Sequence, residues 1–240
     1  MYRTLDSEKI VTTAEKLSRR IDERFPTSGL SRVCEELLTI ARESHDRAGW
    51  IAKPQRVLRA IIGLLIVVIL VGLVFILAKL SMPRGGIDAV GLLQGLEAGI
   101  NILILVGAAI VFLVTVETRI KRARAIKAIH ELRALAHVID MHQLTKDPDR
   151  VLVKGSETPS SPKHDLNAFE LIRYLDYCSE MLSVTAKIAA LYVQEFNDPV
   201  VLNAAVDVET LTIGLSRKVW QKVMILSSVS ASGAAQRINE

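Results

Sequence analysis

Three histidines and two carboxylates lie within fourteen residues, in the stretch HELRALAHVIDMHQ at 130–143. Imidazole and carboxylate groups are ligands of transition metals and also serve as acids and bases in catalysis. A helix turns about 100° per residue, so His137 and Asp140 share one stripe at ligand spacing, whereas His130 lies about 10 Å further along the axis. One helix thus supplies two ligands where zinc needs three or four. We predict no metal site and no cofactor.

The same stretch is amphipathic, with Leu132, Leu135, Ala136 and Ile139 on the face opposite the polar stripe. We interpret it as a helix with an orderly polar face. On that face His137 is hydrogen-bonded or ion-paired to Asp140, which makes the two a candidate pH-sensitive pair.

Other signatures of catalysis are missing from the sequence. It has no Walker loop, no GxGxxG, no HExxH and no GxSxG motif. Cys34 and Cys178 share no CxxC spacing, so we expect reduced thiols on helix faces. The sequence predicts that the protein is not an enzyme.

Two long aliphatic runs dominate the chain, at about 57–80 and 96–118. A helix of ~20 apolar residues crosses a ~30 Å hydrocarbon core, so both runs are predicted transmembrane spans. The segment between them, 81–95, carries only Arg84 and Asp88, whereas cations crowd the outer flanks of both spans. The positive-inside rule then places both termini in the cytoplasm and the loop outside.

The flanking cations are predicted to meet anionic headgroups at the membrane surface, and Trp50 is a predicted interfacial anchor. This position beside the spans favours lipid over nucleic acid as their partner. The cations are Lys53, Arg56, Arg59, Arg119, Lys121, Arg122, Arg124 and Lys127.

The second span carries two further patterns. The glycines Gly91, Gly95, Gly99 and Gly107 form a small-residue ridge for close helix packing, against the first span or between protomers of a homo-oligomer. A polar stripe either lines a pore or includes an ion pair between Lys79 and Glu97 at the outer interface, which we favour. The stripe consists of Gln94, Glu97, Asn101 and Thr115.

The remaining segments read as amphipathic helices at 7–24, 31–49, 165–196 and from 199 onward, with Ser31 as a predicted N-cap. We therefore predict an all-α integral membrane protein, with a two-helix transmembrane hairpin inserted into a cytoplasmic helical bundle. Its parts are the N-terminal helices 1–52, the hairpin 53–118, a helical stalk 119–146, a linker 147–163 and the C-terminal helices 164–240.

The stretches RFPTSGLSRV and HELRALAHVIDMHQLTKDP, on either side of the two spans, resemble an uncharacterised family of bacterial two-span membrane proteins. The resemblance implies a bacterial source and carries no known activity or site residues. We expect a multi-pass protein of the bacterial inner membrane.

Two functions compete. The first is a membrane-anchored helical scaffold or signalling adaptor that is oligomeric and presents its bundle to a cytoplasmic protein partner. The second is an oligomeric channel or pore-forming effector, with the second span lining the path.

Overall fold

The computed structural model describes residues 4–79, 89–148, 159–160 and 166–238, and their side chains except at 52, 73, 76–79, 89–92, 96, 195 and 229–238. These residues are mostly helical, with no strand among them, and the predicted all-α class is confirmed. The helices are α1 (Ser7–Arg24), α2 (Gly29–Ala52), α3 (Arg56–Lys79), α4 (Ala89–Leu144), α5 (Ala168–Glu195) and α6 (Pro199–Ile238).

The chain divides into two compact units, of which the first comprises Met1–Ala52 and Arg124–Glu240 and the second Lys53–Ala123. We call the first the bundle and the second, after the hairpin predicted for this segment, the hairpin unit. The linker predicted at 147–163 lies largely outside the described residues, as do most of the residues of the predicted external loop.

The bundle has one hydrophobic core, to which both ends of the chain contribute. The predicted apolar stripe of α1, at Ile10, Ala14, Leu17 and Ile21, is buried in it. So is the apolar face of the histidine stretch, at Leu132, Leu135, Ala136 and Ile139. From Arg124 onward α4 is therefore a core helix of the bundle, where the sequence had indicated a stalk.

Local signals fix where the bundle helices begin. The Asp6 carboxylate accepts from the Glu8 and Lys9 amides at the start of α1, and Asn167 forms a capping box with Glu170 at the start of α5. Asp198 caps α6, as Oδ1 accepts from the amide nitrogen of Val200 at 3.0 Å. These caps satisfy amide groups that have no partner inside a helix.

The N-terminal helices are tied to α5 by polar contacts as well as by the core. The buried Tyr192 hydroxyl donates to Ser44 Oγ at 3.0 Å, which joins α5 to α2. Arg20 and Glu180 form an ion pair that joins α1 to α5.

The hairpin unit buries little of its apolar surface within the chain. Large aliphatic side chains are exposed all along α3 and the first half of α4, with 75% exposure at Val57 and 72% at Leu103. Helix α4 begins at Ala89, so residues 89–95, predicted as part of the loop, are helical. Gly91 and Gly95 each destabilise a helix by about 1 kcal/mol relative to alanine. The flanking leucines and alanines have high helix propensity and offset this cost.

Three helical stretches are long and apolar enough to cross a membrane, within Gly29–Gly72, Leu93–Leu144 and Pro199–Ser228. The apolar windows of the first two are 0% buried within the chain, whereas that of the third is 28% buried. The third stretch, in α6, was not among the predicted spans.

Candidate functional site

A basic cavity of about 270 Å³ lies in the bundle between the end of α2 and α4. Arg47, Trp50 and Ile51 line it from α2, and Arg124, Lys127 and Ala128 line it from α4. Each helix contributes residues at i, i+3 and i+4, which share one helix face. We call this cavity, defined by those six residues, the basic pocket.

The cations of the basic pocket are held in different ways. The guanidinium of Arg124 lies over the Trp50 ring, 4.0 Å from its centroid. Arg47 donates to Glu131 Oε2 and Glu43 Oε2, each at 2.7 Å, and the hydrogen bond to Glu131 raises the pKa of Arg47 above its usual value. Lys127 is exposed and has no ion pair within the part of the chain that the structure describes. The surplus positive charge thus comes from Arg124 and Lys127.

This arrangement has the chemistry of an anion site. Two uncompensated cations and an indole ring surround a floor formed by Ile51 and Ala128, which are each 2% exposed. Arginine and lysine bind phosphate through charge-assisted hydrogen bonds. An amphipathic indole is suited to the headgroup level of a membrane.

A second polar cluster closes the base of the hairpin unit around Glu117. Oε2 of Glu117 accepts a hydrogen bond from Arg59 Nε at 2.6 Å. Its other oxygen, Oε1, accepts from the backbone amide nitrogen of Gln55 at 3.2 Å. Lys121 Nζ lies 3.0 Å from Glu117 Oε1 and donates to the Lys53 carbonyl at 2.9 Å. Each oxygen of one carboxylate therefore joins the start of α3 to α4.

This cluster changes the role of two predicted surface cations. Lys121 is 7% exposed, so its ammonium group serves Glu117 and the Lys53 carbonyl and is not available to headgroups. Arg59 is exposed, but its guanidinium is paired with Glu117. The side chains of Lys53, Arg56, Arg119, Arg124 and Lys127 are exposed.

The glycine ridge meets open space in this chain. A Cβ at Gly95, Gly99 or Gly107 would have no heavy atom within 4 Å, so none of the described side chains packs closely on these three glycines. Gly91 lies in α4, and its surroundings fall outside the described side chains. Packing of the ridge, against the first span or between protomers, stays a prediction.

The polar stripe is also open, with exposed side chains at Gln94, Glu97 and Asn101. Thr115 differs, because its hydroxyl donates to the backbone carbonyls of Val111 and Phe112 at 3.0 and 2.9 Å. The Lys79 side chain lies outside the described residues, so its ion pair with Glu97 stays a prediction.

The histidine stretch does not bring its polar groups together. His130 and His137 are exposed, and Asp140 Oδ1 accepts from Gln143 Nε2 at 2.6 Å. Across the described residues, no group of three or more His, Cys, Asp or Glu side chains could hold a metal ion. Pairing of His137 with Asp140 stays a prediction.

The third histidine, His142, is the one in a distinctive environment. It is half-buried against Gly29 at the start of α2. Burial lowers its pKa below the usual value, and the charges of Arg32 and Lys146 lower it further. The sequence analysis had assigned the candidate pH-sensitive role to another residue of the stretch.

Both thiols lie in the bundle core. Cys34 and Cys178 are each 0% exposed, and burial raises the pKa of each thiol to about 12. Since the thiolate is the reactive form, these environments oppose nucleophilic chemistry.

Trp50, Arg124 and Lys127 were predicted separately from the sequence, whereas their convergence in the basic pocket and the role of Glu117 were not predicted. The signal for Glu117 was its i, i+4 spacing to Lys121 at the end of an aliphatic run. No family model, no curated protein and no solved structure matches this chain.

Proposed function

We propose that this protein is a membrane-anchored helical scaffold or adaptor that spans the bilayer twice, through α3 and the first half of α4. One observation carries the proposal: the apolar windows of both helices are 0% buried within the chain. Large aliphatic surface exposed in this way is satisfied by lipid, because a soluble monomer rarely exposes contiguous apolar patches larger than a few hundred Å².

Helix α6 is better explained as part of the bundle than as a third span. Its buried face belongs to the same core as α5, through Val208, Leu215 and Val219 among others. Near its end, Lys222 Nζ donates to the Gln143 carbonyl at 2.7 Å. Insertion into lipid would expose this core and carry several charged side chains into hydrocarbon.

The charge pattern supports a topology with both termini in the cytoplasm of a bacterium. Exposed cations at Lys53, Arg56 and Arg119 flank the two spans on one side. Positive charge next to a span favours retention on the cytoplasmic side of the inner membrane.

The topology is tested with reporters fused after Glu240 and within the 81–88 segment. A reporter that is active only in the cytoplasm should work at Glu240 and fail in the loop. An exported reporter should give the reverse. A reporter at Glu240 that is active only outside would place the C-terminus on the far side of the membrane and reject the proposed topology.

The basic pocket supports a role for anionic lipid in this anchor. In the sequence, Trp50 lies three residues before the hairpin unit and Arg124 directly follows it. A phosphodiester headgroup would meet Arg124 and Lys127, while its glycerol backbone lies against the indole. The bundle would then be bound at the membrane surface by a charge-selective contact.

Headgroup binding is tested by fluorescence, since the chain has two tryptophans and Trp220→Phe leaves Trp50 as the only one. Short-chain phosphatidylglycerol should change the Trp50 emission saturably, and phosphatidylcholine should not. Arg124→Gln with Lys127→Gln should abolish the change, whereas Arg133→Gln, an exposed control on the same helix, should keep it. An equal response to inorganic phosphate would indicate a free-anion site, and an unchanged response in the double variant would reject the pocket.

A pore remains the second candidate, because Gln94, Glu97 and Asn101 are exposed along α4. Polar side chains within a span face protein or water, and several copies could arrange them around a path. Conductance of the purified protein in planar bilayers, reduced in Glu97→Gln and Asn101→Leu, would favour the channel over the scaffold.

A further inference from the structure

Helix α6 has two apolar faces, and the structure covers only one of them. The first packs into the bundle core through Val201, Ala205, Val208, Leu215, Val219, Val223 and Leu226. The second is an exposed stripe that falls within an arc of about 40° at 100° per residue. It consists of Leu202, Val206, Ile213, Trp220 and Met224, with exposures from 43% to 61%.

This exposed stripe is symmetric about Ile213. Val206 and Trp220 lie seven residues before and after it, and Leu202 and Met224 lie eleven residues before and after it. If a second copy of α6 runs antiparallel across a two-fold axis at Ile213, each of these residues meets an apolar partner at the same level. A two-fold interface of this kind requires one surface that is complementary to itself.

Charged residues at the borders of the stripe follow the same symmetry. Glu209 and Arg217 lie four residues before and after Ile213, and neither forms an ion pair with another described residue. An antiparallel copy brings Glu209 level with Arg217 of the second copy, twice in the dimer. A parallel copy would instead place Glu209 level with Glu209 and Arg217 level with Arg217, which repel.

We propose that the exposed stripe of α6 is a homodimer interface, in which two copies of this helix pair antiparallel about Ile213. The apolar residues exclude water along the seam, and the two Glu209–Arg217 pairs select the antiparallel register. The occupant is a second copy, since the charge pattern of the stripe is complementary to the stripe itself.

Cross-linking of the full-length protein in lipid vesicles tests the contact and its direction. Cys34 and Cys178 are buried, so the parent protein supplies a low background. With a short bismaleimide, Ile213→Cys should cross-link to itself, because the two-fold axis passes through that residue. Val206→Cys should not, because its neighbour in the antiparallel dimer is Trp220. Lys218→Cys, exposed and about 140° around the helix from Ile213, is the negative control.

Charge reversal tests the register independently of the cysteines. In a dilution series in vesicles of the Ile213→Cys protein, Glu209→Arg or Arg217→Glu should weaken dimerisation about tenfold, which equals about 1.4 kcal/mol. The double variant carrying both reversals should restore it, because it exchanges the charges without losing complementarity. Lys218→Glu should leave dimerisation unchanged.

Three results would overturn the proposal. Cross-linking of both Ile213→Cys and Val206→Cys would indicate a parallel pair. Absence of cross-linking at Ile213→Cys, with that thiol shielded from a water-soluble maleimide by the bilayer, would assign the stripe to lipid as a third span. Failure of the double charge reversal to restore dimerisation would likewise reject the proposed register.

Discussion

The imidazole of His142, at the end of α4, lies directly against Gly29, the first residue of α2. A Cβ on Gly29 would fall 2.5 Å from His142 Cε1, closer than side-chain carbons approach one another. The contact joins two helix ends that are 113 residues apart in the sequence. Any larger residue at position 29 would therefore force the imidazole to move.

Gly29→Ala should lower the free energy of unfolding by roughly 1–3 kcal/mol, because the added methyl group overpacks the contact with His142. Gly49→Ala is the matched control, since a Cβ at that glycine of the same helix meets nothing within 4 Å. That control should be neutral or stabilising by up to about 1 kcal/mol, through helix propensity. Thermal unfolding of the detergent-solubilised variants measures both, and equal shifts in the two would contradict the contact.

His142 should make stability depend on pH. Burial and the charges of Arg32 and Lys146 lower its pKa from 6.5 in the folded protein, so the unfolded chain takes up the proton at a higher pH. The free energy of unfolding should therefore fall as the pH drops below about 6.5, and level off below the folded-state pKa.

Substitution of the ring separates His142 from the other histidines of the stretch. His142→Gln should flatten the dependence of thermal stability on pH between 5 and 8. His137→Gln is the comparison, because His137 is exposed on the same helix. A flattened profile in His137→Gln alone would favour the pair with Asp140 that the sequence suggested.

Removing the carboxylate at the base of the hairpin unit should loosen it. Glu117→Gln leaves the poorly exposed Lys121 ammonium without its anion, at a cost of roughly 1–2 kcal/mol. Limited trypsin digestion should then cut more readily at Arg56, which precedes Val57. Adding Lys121→Met to Glu117→Gln should reverse part of the effect, because the charge that remains without a partner is that of Arg59, which is exposed to solvent. Equal digestion of wild type and Glu117→Gln would contradict this role.

The glycine ridge of α4 is expected to stabilise contacts between protomers. Gly99→Leu should leave the unfolding temperature of the monomer unchanged, because a Cβ there meets nothing within 4 Å. It should decrease the oligomer fraction measured by mass in detergent if protomers pack on the ridge. Leu103→Ile, at a residue with 72% exposure, controls for a change in side-chain shape. An unchanged oligomer fraction in Gly99→Leu would exclude the ridge from any interface.

Helices could be predicted from the sequence where apolar residues recur at helical spacing and form one face that is buried in the core. The period of Ile10, Ala14, Leu17 and Ile21 gave α1 its observed bounds, Ser7–Arg24. The predicted N-cap at Ser31 was wrong, because the Ser28 hydroxyl accepts from the Ser31 amide. Ser31 Oγ instead donates to Asp22 Oδ1 at 3.0 Å. That contact depends on how α1 packs against α2, which cannot be predicted from the local sequence pattern.

The basic pocket shows the same limit at longer range. Sequence reasoning marked Trp50 as an interfacial anchor and Arg124 as a surface cation, each from its own neighbours. The two residues are 74 positions apart, and their stacking depends on α2 and α4 sharing a core. Composition and spacing therefore gave the residue types of the candidate site, and tertiary packing brought them together.

Because both ends of the chain contribute to one core, the bundle cannot complete its folding until the C-terminal helices have been translated. Helices α1 and α2 are complete at residue 52, whereas their partner α5 ends at Glu195. At roughly 5–20 residues per second, translation of the intervening segment takes on the order of ten seconds. Until the second half of α4 is synthesised, the two helices have only each other to cover their apolar faces, while the proposed hairpin enters the membrane. Assembly should therefore begin with the N-terminal pair and finish with α5 and α6, and a ribosome stalled before α5 would hold an incomplete core.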